Sequence, residues 1–289
     1  MRQTIPGWPY SIVAALESGR SSWTTPLDAV RLVPGHDATE VTATQIREVF
    51  ERLQAAGQWC EADPPVLVVT DAGYDVIRLA FLLADLPVRL LGRVRSDRVF
   101  HAPAHGYAGN GRPGRHGPAM KLDDPATWPA TEQAVTSMHE RYGQVAVTAW
   151  GHHHPQLQRR AGWATHPGPL PIVEGTLILV RVDRLPGDRA PKPVWLWHSH
   201  PEPADLDVLR LFHAFLRRFD IEHVRHEAHE TVCGVRPHRR AVAAAWQKLG
   251  AAGPGERRER WKAAPTTPGR VGTARRPGFG KQDQKVERE

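Results

Sequence analysis

Residues 66–98 read VLVVTDAGYDVIRLAFLLADLPVRLLGRVRSDR, and this stretch decides the fold. Val66 to Thr70 is an unbroken apolar, mostly β-branched run, the pattern of a strand buried on both faces. It runs straight into Asp71-Ala72-Gly73-Tyr74-Asp75. Helical spacing then predicts a helix over about Val76 to Leu86, closed by Pro87. Val88 to Val94 is a second strand, and it leads into Arg95-Ser96-Asp97-Arg98. A helix between strands implies an α/β layer architecture.

Working outward, the chain before this stretch adds two strands and a helix. Tyr10 to Leu16 and Thr24 to Leu32 read as strands joined by a turn around Ser18-Gly19. Asp37 to Thr42 reads as a loop. Thr42 or Thr44 is the expected cap of a helix in which Ile46, Val49, Phe50 and Leu53 recur at helical spacing, ending near Gly57. These elements make residues 1–100 the core. Beyond it, 101–120 is rich in Gly, Pro and His. Gln144 to Trp150, Leu170 to Asp183 and Pro193 to His198 are strand candidates, so 101–203 reads as a β-rich insertion. A helix over Ala204 to Phe219 follows, with Leu206, Leu209, Phe212 and Leu216 on one stripe; it continues through Glu222 towards Glu230. Residues 204–240 are thus a returning core helix. The remainder, 241–289, is a low-complexity basic tail with too few large apolar residues to order itself.

Composition narrows the function classes. The 289 residues are 40% hydrophobic and 24% charged, values of a globular chain. No apolar run approaches the roughly 20 residues that span a bilayer, and no signal-peptide pattern opens the chain. Two cysteines, Cys60 and Cys233, exclude a disulfide scaffold. The net charge is +7, and 32 of the 38 basic residues are Arg, whose planar fork suits phosphate. A GC-rich genome also produces abundant Arg, Ala, Pro and Gly, so the positions of the arginines matter more than their number.

Asp71 is the strongest local signal. It lies at the carboxyl end of a buried strand, where open α/β sheets place their sites. Gly73 allows close backbone approach, and Asp75 is the natural cap of the next helix. Arg218 and Glu222, four apart, share one helical face; they read either as a surface ion pair or as a metal-binding Glu beside a phosphate-binding Arg. Arg93, Arg95 and Arg98 follow the second core strand, with Arg93 and Arg95 on one face, as a solvated strand end or as DNA-backbone contacts. Arg112, Arg115 and Lys121 lie in or after the Gly-rich loop and could track phosphates. His152-His153-His154, with His198 and His200, has no acidic partner at ligand spacing and does not read as a metal site. Trp195 and Trp197 alternate, so one face of their strand is core. No nucleotide-cradling Gly loop and no GxSxG nucleophile motif occur.

Five segments together resemble a known family: IPGWPYSIVAALESGRSSWTTPLDAVRL, the stretch VLVVT through VF at 66–100, KLDDPATWP, GPLPIVEGTLILVRVDRLPGDRAPKPVWLW and LRLFHAFLRRFDIEH. They are similar to the DDE transposases of bacterial insertion sequences, in the subgroup with a ribonuclease H-like core and a β-rich insertion. The resemblance covers about residues 5 to 223. It implies a mixed ribonuclease H-like sheet and a reaction in which carboxylates hold Mg²⁺ or Mn²⁺ for DNA strand cleavage and transfer. It makes Asp71 the second carboxylate and Glu222 the third, both catalytic metal ligands, with Arg218 on a phosphate. Along the returning helix the family places Tyr, Arg, Glu and Lys at spacings of three, four and seven; here those positions hold Phe215, Arg218, Glu222 and His229. It also implies DNA as partner (element ends and target), a homodimer in a synaptic complex, and a bacterial cytoplasmic, nucleoid-associated location.

The chain departs from the family in one decisive way. The first catalytic Asp belongs to a strand before the Tyr10–Leu16 and Thr24–Leu32 pair, and no such strand precedes it here. The expectation is a copy truncated at both ends, with the first core strand missing and two neighbours left without a pairing partner. Metal binding by Asp71 and Glu222 alone is expected to be weak. The competing expectation is a catalytically inactive DNA-binding remnant, or a pseudogene product.

Overall fold

The computed structural model describes residues 9–16, 24–104, 109, 114–185 and 190–218, together with the backbone of 245–248. Glu222, His229, Arg112 and the tail lie outside the described residues.

The strand Val66–Thr70 (β3) forms where the β-branched run requires it and is buried along its whole length. The helix Val76–Leu82 (α2) follows, and then the strand Val88–Val94 (β4), which pairs with β3 in parallel, Thr70 opposite Gly92. Asp75 caps α2 by accepting the Arg78 N–H at 3.1 Å. Upstream, the strands Tyr10–Leu16 (β1) and Thr24–Arg31 (β2) make an antiparallel pair of their own. The helix Ala38–Ala55 (α1) packs on β1, to which Gln45 donates at the Ser11 carbonyl and Thr42 is hydroxyl-bonded at Ser11.

The start of α1 corrects the sequence reading. Its cap is Asp37, not Thr42 or Thr44, and the helix begins four residues earlier than the expected loop allowed. Asp37 Oδ1 accepts the Thr39 and Glu40 N–H groups at 2.9 and 3.3 Å. Its other oxygen, with Glu40, holds the Arg78 guanidinium of α2, whose side chain is only 6% exposed. A buried cation needs such partners, so the first turn of α1 is fixed by α2 as well as by its own cap. Gly57, at φ +64°, then ends α1 in the left-handed conformation that glycine adopts without strain.

The strands beyond residue 100 continue the same sheet. They are Val99–His101 (β5), Ala119–Lys121 (β6), Gln133–His139 (β7), Gly143–Pro155 (β8), Gly175–Val182 (β9) and Val194–His198 (β10). β10 pairs antiparallel with β4, Trp195 opposite Val94, and β9 and β8 follow outward. The result is a mixed nine-stranded sheet in which β4 has a parallel neighbour on one side and an antiparallel one on the other. The backbone of Ala245–Lys248 (β11) pairs antiparallel with the free side of β3 and lies beside β1. β1 and β3 themselves are not hydrogen-bonded, which leaves the expected gap between them.

Alternation along these strands divides the core between two faces. Val66, Val68, Leu90, Trp195 and Trp197 face α1 and α2, with Ile46, Phe50 and Leu79. Leu67, Val69, Leu91, Leu196 and Ile178 face the opposite way and meet Leu211, Phe212 and Phe215 of the helix Val208–Arg217 (α3). Burial of large side chains on both faces, each contributing about 1.5–3 kcal/mol, holds β3 and β4 rigid beneath whatever their ends carry. Gly92 is where this packing is tightest: a Cβ there would lie 2.4 Å from Thr70 Oγ1 and 2.9 Å from Val76. Gly92→Val is expected to cost about 1–3 kcal/mol by overpacking. Urea denaturation of the two chains measures it, and an unchanged midpoint would show that β3 and β4 yield freely at this point.

Candidate active site

Asp71 is the first residue past β3. Because β4 runs parallel to β3, Arg93 emerges at the same edge of the sheet, one position past the Thr70–Gly92 pair. The third contributor comes from 147 residues away. Asp207 caps α3 by accepting the Arg210 N–H, and α3 crosses the sheet and ends at Arg218. There Arg218 Nε donates to Asp71 Oδ1 at 3.2 Å. Its Nη1 donates to the Phe215 carbonyl at 3.0 Å, and its guanidinium carbon sits 3.8 Å from the centre of the Phe215 ring. Phe215 is buried, so it forms a fixed platform for a cation.

The arrangement polarises the site strongly. Arg218 is 10% exposed and Asp71 62% exposed, so the carboxylate reaches outward and the guanidinium lies beneath it. Partial burial works against the ionised form of Asp71. The Ala72 N–H, the hydrogen bond and charge of Arg218, and the charge of Arg93 outweigh it and hold the carboxyl below the usual range. Asp71 is therefore ionised at neutral pH, and the charges nearest to it are two arginines.

The remaining candidates lie as follows. Gly73 is in the turn after β3, with open space where a Cβ would point. Asp75 serves α2 as its cap. Arg95 is turned towards Asp97, to which its Nε donates at 2.9 Å, and its far nitrogen completes a fork on the same carboxylate. Arg98 belongs to the turn between β4 and β5, where its N–H meets the Arg95 carbonyl at 3.3 Å. So Asp71, Arg93, Phe215 and Arg218 converge, whereas Arg95 and Arg98 lie along the chain leaving that edge.

The histidines behave differently from the expectation drawn for them. His152 does have acidic partners: Nδ1 lies 2.9 Å from Glu174 Oε2 and Nε2 lies 2.6 Å from Glu202 Oε1. These glutamates are 22 and 50 residues away, a proximity no local spacing shows. They outweigh the cost of partial burial and raise the His152 pKa. His152 also takes the left-handed conformation, φ 52°. Even so, among the described residues no three His, Cys, Asp or Glu side chains converge to hold a metal ion.

A sequence model of the DDE superfamily endonucleases matches residues 1–155, more than half of the chain and the half that carries Asp71 and Arg93. The chain belongs to that superfamily. No curated protein matches it. The mixed α/β architecture is compatible with a DDE nuclease fold. DDE superfamily nucleases generally use divalent metals, and Asp71 supplies one hard oxygen ligand of the kind they need. One carboxylate faced by two guanidiniums is not a complete metal centre. The described residues of this DDE chain suit a phosphate group better than a divalent cation. No helix among them is long and apolar enough to cross a membrane.

Proposed function

We propose that this DDE-superfamily chain engages the phosphodiester backbone of DNA at the carboxyl ends of β3 and β4. The observation that carries the reading is the convergence of Asp71, Arg93 and the Phe215-backed Arg218 on one sheet edge. The reaction we assign is Mg²⁺- or Mn²⁺-dependent strand cleavage and strand transfer at the ends of an insertion sequence, which is DNA transposition. In that reading Asp71 and Glu222 are the metal ligands and Arg218 and Arg93 contact phosphates. Arg95 and Arg98 extend the DNA track, and two copies act in a synaptic complex. Gly73 leaves the approach to Asp71 open, and His229 adds a pH-dependent positive charge beyond Glu222.

A specific observation favours a second reading, DNA binding without cleavage: the one described carboxylate at this edge is hydrogen-bonded by an arginine. Nicking of supercoiled plasmid separates the two. The transposase reading expects Mg²⁺- or Mn²⁺-dependent nicking by the full chain, lost in both Asp71→Asn and Glu222→Gln. Nicking undiminished in both variants would sink the assignment. Absence of nicking with retained DNA binding selects the second reading.

A further inference from the structure

Away from the Asp71 edge, the chain builds a second basic pocket. The segments 101–121 and 156–173 contain no Asp or Glu, yet they carry Arg115, Lys121, Arg159 and Arg160. Arg115 and Arg159 meet at a cavity of about 510 Å³, together with His116, Gln156 and Leu170. That volume is within the range of small-ligand sites.

Both guanidiniums are held in place by carbonyls rather than by carboxylates. Arg115 Nη2 donates to the Leu170 carbonyl at 2.6 Å. Arg159 donates to the His166 carbonyl at 2.8 Å and to the Gly168 carbonyl. Neither forms an ion pair among the described residues. A guanidinium has five N–H donors, so most remain for a ligand, and two fixed cations face the same space.

The wall behind them is a stack of three imidazoles. His116 Nδ1 lies 3.0 Å from Nε2 of the fully buried His154, and His101 is fixed by its Nδ1 at the Gly117 carbonyl, 3.2 Å away. The ring centre of His116 lies 5.2 Å from those of His101 and His154, which are 6.3 Å apart. Burial, and then the neighbouring His101 and Arg115, push the His116 pKa down, so the ring stays neutral at physiological pH. A neutral imidazole can offer a hydrogen bond without adding a third charge.

We propose that this pocket binds a nucleotide phosphate, clamped between Arg115 and Arg159 with His116 alongside. The chemistry is that of a phosphate on a nucleoside, carried either in a DNA strand or by a free nucleotide. The site stands on its own geometry and needs no metal, so it is independent of the reading of Asp71.

The test uses the full chain in chelator, modified with the arginine reagent phenylglyoxal and read by peptide mass spectrometry. The probes are a single-stranded oligonucleotide and dAMP. Protection of Arg115 and Arg159 by the oligonucleotide alone places a strand phosphate in the pocket. Equal protection by dAMP places a free nucleotide there. Protection by neither overturns the proposal. In parallel, Arg115→Gln/Arg159→Gln is expected to weaken oligonucleotide binding and lower its log–log salt slope by about 0.7 for each phosphate no longer neutralised. Arg115→Lys/Arg159→Lys keeps the charge and retains part of the binding. Unchanged affinity and slope in the Gln variant would also overturn it. Asp71→Asn leaves the protection pattern intact, so failure of the Asp71 reading and failure of this one are separable.

Discussion

Arg218→Gln weakens metal-free DNA binding by roughly tenfold, while Asp71→Asn strengthens it by roughly two- to fivefold. The opposite signs follow from the geometry. Arg218 is mostly buried, braced on the Phe215 ring and aimed at the edge where Asp71 and Arg93 emerge. A hydrogen bond from such a cation to a phosphate contributes about 1.5–3 kcal/mol, and glutamine keeps neither the charge nor the fork. Asp71 is an exposed anion at the same place, and it competes with phosphate for the same guanidinium. Removing its charge takes away a repulsion of the size found for exposed pairs, about 0.2–1 kcal/mol. Fluorescence anisotropy with a labelled duplex in chelator measures both variants. Equal affinities in Arg218→Gln and the unaltered chain would show that DNA does not use this edge.

Acid unfolds this protein well before its carboxylates are neutralised, and His198 is the main cause. It is fully buried on β10 between two layers of core, and burial, with the charges of His200 and Arg89, pushes its pKa down to about 3. Its Nδ1 accepts the His200 N–H at 3.1 Å, so the neutral form is built into the end of the strand. A histidine in the unfolded chain titrates near 6.5. The folded value is the lower one, so the contribution of His198 is complete above about pH 6.5. It is lost as pH falls towards 3, at up to about 1.4 kcal/mol per pH unit. The depressed values of His153, His154, His116 and His213 act in the same direction. His152 opposes them, because its raised pKa stabilises the fold at lower pH and that contribution fades as pH rises through it. Thermal melts from pH 7 to pH 4 are expected to show a steep loss of melting temperature, flattened in His198→Gln. An identical slope in that variant would assign the acid sensitivity elsewhere.

The β3–α2–β4 unit was legible because each signal in it is local. Five consecutive buried residues declare the strand, Asp75 declares the cap, and Pro87 closes the turn before β4. The position of Asp71 at the strand end followed from that. What could not be read was every relation made by distant segments. Asp37 looks like a loop residue until Arg78, 41 positions on, is seen to need its carboxylate. The acidic partners of His152 come from the approach to β9 and from the turn after β10. That β10 lies beside β4, so that the β-rich stretch prolongs the core sheet, depends on strand pairing across about a hundred residues, which no periodicity encodes. Arg218 could be singled out from the chain, but its contact with Asp71 required the length and direction of α3.

The central claim is that the arginine-lined edge beside Asp71 handles the DNA backbone. The most direct measurement is the affinity of the full chain for a labelled duplex in chelator across a range of salt concentrations. The account predicts metal-independent binding whose logarithm falls linearly with log salt at a slope of about −0.9 per phosphate contacted, and a shallower line for Arg93→Gln/Arg218→Gln. Binding that is absent, or that is indifferent to salt and to both arginines, would contradict it.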